Sequence, residues 1–166
     1  MGMNIYFRWA GAALIMIAAL CASREYSRFA DLRLAQWRGF SAFLLHIEGE
    51  ISKFLASGEG LYRGFENAEL EKCGFLPALK EGTGLSAAFD GCRGRLLLPE
   101  GCKARLAEFF ATFGRGYKDS ELASLSAFRI AFEKEYEAER ERLEKSVKIT
   151  RALLLGGALS VAIMLI

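Results

Sequence analysis

The 166-residue chain sets 22 Lys and Arg against 20 Asp and Glu, for a formal charge of +2, too balanced for the basic footprint of a nucleic-acid binder. Its apolar content is 52% and gathers at the two ends, which leaves about 125 residues between them, enough for one small domain. A single histidine and the lack of any C-x-x-C pair argue against a structural zinc site.

The first element is apolar. Trp9 to Ser23, WAGAALIMIAALCAS, is followed at once by Arg24, Arg28, Arg33 and Arg38, whereas only Arg8 precedes it. That asymmetry predicts a transmembrane segment over residues 1–23 with the following chain on the cytoplasmic side. A cleaved signal peptide is the competing reading, with Arg8 as its basic region. The four downstream arginines oppose export, and Leu20 before Cys21 fits a lipoprotein site poorly, so a signal anchor is expected.

Beyond the span the helix is expected to run to about Ser57. Trp37, Phe40, Leu44, Ile47, Ile51 and Phe54 step by three and four, a heptad-type seam. Ser57, Gly58, Glu59 and Gly60 end it. His46 and Glu50 share a face of this helix, but nothing supplies the further ligands or the orienting partner of a metal or acid–base site, so an ordinary helix-surface contact is expected.

Shorter elements follow. Leu61 to Lys72 reads as one helix, and Pro77 to Phe89, broken by Gly82 and Gly84, as another or as two turns. Asp90 to Gly101 reads as a loop with an apolar patch at Leu96, Leu97 and Leu98. Lys103 to Phe113 is helical, with Leu106, Phe109, Phe110 and Phe113 on or near one face. Of the four cysteines, Cys21 lies in the first span and Cys73, Cys92 and Cys102 are scattered. Cys92 and Cys102 bracket the loop and could be bridged, but a cytoplasmic setting favours reduced thiols.

The last helix is expected from about Asp119 to Ile166. It contains no proline, and Asp119 and Ser120 are good N-cap types with Glu121 in the first turn. At ~1.5 Å per residue it would be about 70 Å long, more than twice the hydrocarbon thickness of a bilayer, and therefore needs two environments. Leu122, Leu125, Phe128, Phe132 and Tyr136 form an apolar stripe among charges. From Ala152 to Ile166 there is no charge, with Lys145, Lys148 and Arg151 just before. Counting from Val147, with Lys148 and Arg151 snorkelling, gives a span of about 20 residues.

The expected fold is all-α: a helical bundle whose two long antiparallel helices continue into transmembrane segments. Its parts are 1–23, a cytoplasmic domain over 24–146, and 147–166. Arg24, Arg28, Lys148 and Arg151 flank the membrane and meet lipid. No phosphate-binding loop, nucleophile elbow or paired-carboxylate signature is present, so no catalytic residue, cofactor, metal or small-molecule substrate is expected. Phe113 to Asp119 puts two glycines and basic residues before a helix start, an arrangement physically able to hold an anion, but a tight interhelical turn is the expected reading.

The segment FATFGRGYKDSEL, the long charged helix after it and the terminal LLLGGALSVAIMLI resemble the stage III sporulation protein AB family of endospore-forming bacteria. In that family the turn has the form F-G-x-x-L-G-x-x-D before a Gln-containing helix start. Phe113, Gly114 and Asp119 match it, Gly116 stands close to the second glycine's place, and Glu121 or its followers stand where glutamine is usual. The layout agrees along the chain, including the arginine-rich exit and a helix with Ile47, Glu50 and Ile51 before a glycine-containing break.

The resemblance implies a non-enzymatic platform or adaptor of the channel between mother cell and forespore, similar to the cytoplasmic domain of type II secretion F proteins. Implied partners are a stage III sporulation protein AA-like ATPase and other membrane proteins of the same operon. The docking surface would be the distal turns, Gly58 and Gly60 with Gly114, Gly116 and Asp119. A platform subunit of a general type II secretion or pilus system, and an exported domain on a C-terminal anchor, are the alternative readings.

Overall fold

The computed structural model describes residues 3–53, 62 and 64–165. Among them the chain is all-helical, with no strand. Among the described residues six α-helices occur in the order α1 (Met3–Lys53), α2 (Ala68–Lys72), α3 (Phe75–Lys80), α4 (Leu85–Cys92), α5 (Glu100–Thr112) and α6 (Lys118–Leu165), with a 3-10 turn at Arg93–Arg95. The chain divides into two compact units, one of Met1–Asp31 with Glu139–Ile166 and the other of Leu32–Ala138.

In the Leu32–Ala138 unit the expected seam of α1 is the heart of the core. Trp37, Phe40, Leu44, Ile47 and Ile51 are buried, while Phe54 lies outside the described residues. The partner stripe on α6 buries Leu125 and Phe132, with Leu122, Phe128 and Tyr136 packed at its margin. Trp37 meets Phe132 at 4.6 Å and Tyr136 at 6.4 Å between ring centroids, Ser41 bonds Glu133, and Glu48 pairs with Arg129. Rising numbers on α1 thus meet falling numbers on α6, so within this unit the two helices run antiparallel.

The middle elements close the other side of the seam through aromatic rings. Phe110 of α5 contacts Phe40, Phe43, Phe75 and Phe89, all with ring centroids within 6.4 Å. Gly39 of α1 lets α2 come close: a Cβ there would lie 2.9 Å from Asn67 Oδ1. That oxygen is committed, because it accepts the Glu69 and Leu70 amide N–H groups at 3.1 Å each and so caps α2.

The same cap corrects the expectation of one helix over Leu61–Lys72. Asn67 adopts an extended backbone (φ −155°), so the helix begins only at Ala68; asparagine satisfies free amides at a helix start better than it fills an interior. Asp90–Gly101 is likewise less of a loop than expected. α4 runs through Cys92 into the 3-10 turn, α5 starts at Glu100 directly after Pro99, and Leu96 and Leu98 are buried in the core. The Leu97 N–H donates to Gln36 Oε1 at 2.7 Å, which satisfies a backbone amide in this short irregular stretch.

The other unit has a different polarity. It consists of two helical segments that bury small residues, Ala12, Ala19 and Ser23 on α1 and Ala158 and Ala162 on α6. Leu14, Ile17 and Leu20, and likewise Leu153, Leu159 and Ile163, are exposed. Small side chains inward and large apolar ones outward is the arrangement that suits lipid, where close helix approach replaces the hydrophobic drive. Tyr26 and Ser146 hydrogen-bond through their hydroxyls at 2.7 Å, which ties the two segments together. α6 is long and apolar enough to cross a membrane, and its most apolar window is only 11% buried, unlike the core helix of a soluble protein. Among the described residues it is the one helix that meets this criterion.

Candidate functional site

The turn between α5 and α6 is built by local chemistry. The Phe113 N–H closes α5 onto Phe109 O at 2.9 Å, and Gly114 takes φ +87°, a left-handed conformation that glycine adopts at no steric cost. Glu121 reaches back from the first turn of α6, and its Oε1 accepts the Gly116 N–H at 2.6 Å. The chain's own carboxylate thus occupies an amide that an external anion would use, and Asp119 and Glu121 complement the positive end of the helix. α6 starts at Lys118, one residue ahead of Asp119, where the Glu121 N–H bonds Tyr117 O at 2.9 Å.

The apex is left to solvent. Tyr117 is 90% exposed, and Arg115, Lys118 and Asp119 are exposed with it. On one side lies a cleft of about 330 Å³ lined by Phe109, Phe113, Arg115, Ser120 and Glu121. On the other lies one of about 430 Å³ lined by Tyr62, Leu85, Phe110, Phe113 and Arg115. Phe113 and Arg115 border both, so the turn stands as a ridge between two grooves. A ridge carrying an arginine and a tyrosine offers the residue types that anchor protein interfaces, and the grooves offer places for a partner's side chains.

Burial raises the Tyr62 hydroxyl from 10.0 to about 12. Both folded and unfolded forms keep the proton below pH 10; between pH 10 and 12 the unfolded chain ionises first, so stability falls as pH rises through that window. The loss should reach up to ~2 kcal/mol after allowance for partial exposure. Tyr62→Phe should remove this contribution, seen as a shallower alkaline slope of unfolding free energy than the parent's; parallel slopes would refute it.

Of the expected site residues, the structure brings Gly114, Gly116 and Asp119 together in this turn, while Gly58 and Gly60 lie outside the described residues. Arg24, Arg28, Lys148 and Arg151 belong to the other unit and are exposed, with Arg28 paired to Glu25 at 3.1 Å. His46 packs on Phe65 with centroids 5.2 Å apart, and no group of three or more metal-ligating side chains occurs among the described residues. Sequence reasoning did not single out Arg115 and Tyr117 as an apex. The available signal was negative: Ser120 and Glu121, in the first turn of α6, give Tyr117 no apolar neighbour.

No family model, no curated protein and no solved structure matches this chain.

Proposed function

We propose that the chain is a membrane-anchored, non-enzymatic adaptor that docks a secretion-type ATPase through the α5–α6 turn. In the fuller form of this reading it is a two-pass protein with a cytoplasmic central domain and both termini outside. It serves as a platform of the mother cell–forespore channel, beside a stage III sporulation protein AA-like ATPase and other membrane proteins of the same operon. The resemblance of the turn and the terminal span to the stage III sporulation protein AB family supports that role. The observation that carries the docking reading is the exposed Arg115–Tyr117 ridge between two grooves, at the start of a helix that ends in a membrane-competent segment.

Capture experiments with the full-length chain from sporulating cells test it. Arg115→Glu combined with Tyr117→Ala should weaken retention of the ATPase at least ~30-fold, the size of a lost interface anchor. Undiminished capture by a folded variant would remove the ridge as the docking surface.

Among the described residues α6 alone meets the criterion for a span, which favours a second reading, an exported domain on a single C-terminal anchor. The two separate cleanly at Tyr117, which is exposed where the domain cysteines are buried. In intact cells a Tyr117→Cys variant should resist an impermeant thiol reagent; labelling would favour the exported form.

A further inference from the structure

One face of the Leu32–Ala138 unit stays open to solvent. On α1 it is a row at helical spacing, Arg38, Ala42, Leu45, Gly49 and Ser52, of which only Gly49 is partly covered. On α6 the row Ala123, Ser126, Ile130, Glu133 and Glu137 runs beside it, with Ala123, Ile130 and Glu137 exposed. Leu45 is 57% and Ile130 61% exposed. The bonds from Ser41 to Glu133 and from Arg129 to Glu48 fix the level of the two helices and bracket this aliphatic pair. Counting outward in steps of three and four sets Gly49 level with Ser126, Ser52 with Ala123, and Arg38 with Glu137.

Two features of the face have no purpose within one chain. Gly49 stands inside a helix, where glycine costs stability relative to alanine, yet a Cβ there would meet nothing within 4 Å. Arg38 and Glu137 are both exposed, and among the described residues neither is in an ion pair.

We propose that this face is the interface of a homodimer whose two-fold axis runs along the helices, with α1 of each copy lying on α6 of the other. A half-turn about that axis keeps every residue at its own level. Leu45 therefore meets Ile130 of the partner subunit, and Arg38 meets the opposite charge of Glu137 of the partner subunit, each contact occurring twice. Gly49 falls opposite Ser126 of the partner subunit, where the missing side chain lets two backbones approach. An axis across the helices at the level of Leu45 would set Arg38 against the small residues of the Ser52 level and leave the charges without partners. α6 also runs unbroken from this face into the membrane-competent segment, so two copies anchored in one bilayer point the same way; this last support rests on the membrane-anchored reading above.

The test uses the purified full-length chain in detergent, without the ATPase, so its outcome is separate from that of the docking reading. Sedimentation of the parent should show a monomer–dimer equilibrium. Arg38→Glu and Glu137→Arg, each alone, should weaken the dimer about tenfold, because each places like charges at both contacts. Mixed in equal amounts, the two variants should regain the parent's affinity, since each copy then supplies the charge that the other lacks; damage to the fold of one chain would not be cured by mixing. In a Cys21→Ala background, oxidation should link differently tagged Leu45→Cys and Ile130→Cys copies to one another faster than either to itself. A monomeric parent, single variants that associate as the parent does, a mixture that stays weak, or preferential linkage of the Leu45→Cys variant to itself overturns the proposal. So does a monomeric parent whose Leu45→Cys variant is cross-linked in cells to a different polypeptide, which would assign the face to another partner.

Discussion

Replacing Phe132 by aspartate should destabilise the Leu32–Ala138 unit by at least ~3 kcal/mol, through a lost core aromatic and a charge stranded without a partner. Phe132 is 3% exposed, and its ring sits 4.6 Å from Trp37 and 6.1 Å from Phe128. It is the point at which the seams of α1 and α6 meet. A carboxylate there would face the indole of Trp37, and the two arginines nearby are already engaged, Arg129 with Glu48 and Arg105 with Glu135. Urea unfolding of the detergent-solubilised protein, followed by near-ultraviolet circular dichroism, measures the effect. A midpoint equal to the parent's would contradict the antiparallel packing of the two helices.

Phe110→Ala should cost ~3–5 kcal/mol, as expected for a phenylalanine removed from a core that cannot collapse around the gap. Its ring touches those of Phe40, Phe43, Phe75, Phe89 and Phe109, which belong to α1, α3, α4 and α5. Several elements therefore lose contact at once. The longest of those helices, α1, cannot shift inward without breaking other contacts, since Phe40 and Phe43 share it with Trp37 and Ile47. The same unfolding measurement checks it. A loss of ~1 kcal/mol or less would show that the aromatic cluster repacks freely.

Much of this organisation was legible in the residues because its signals are periodic and local. The α1 stripe from Trp37 to Ile51 and the α6 stripe from Leu122 to Tyr136 repeat at helical spacing, and both proved to face the core. The uncharged run from Ala152 onward belongs to the one described helix long and apolar enough to span a bilayer. Gly114 was readable as a turn residue, and its φ of +87° gives the reason. Boundaries set by one side chain were less legible. Asn67 shortened the helix expected from Leu61, and Pro99 let α5 begin before Lys103, because a cap or a fixed φ overrides a weak propensity over a few residues.

Periodicity, charge and the spacing of glycines along the chain determine that this protein is helical and that one of its two long helices has a membrane-competent end, since each depends only on neighbours a few residues apart. Which side chains meet across the chain was decided by tertiary packing. Asn67 lies against Gly39 of α1, Glu121 fills the amide of Gly116, and Arg115 stands on a ridge between two grooves. These contacts join separate helices and turns, and their geometry exists only once the aromatic core has set those elements against one another.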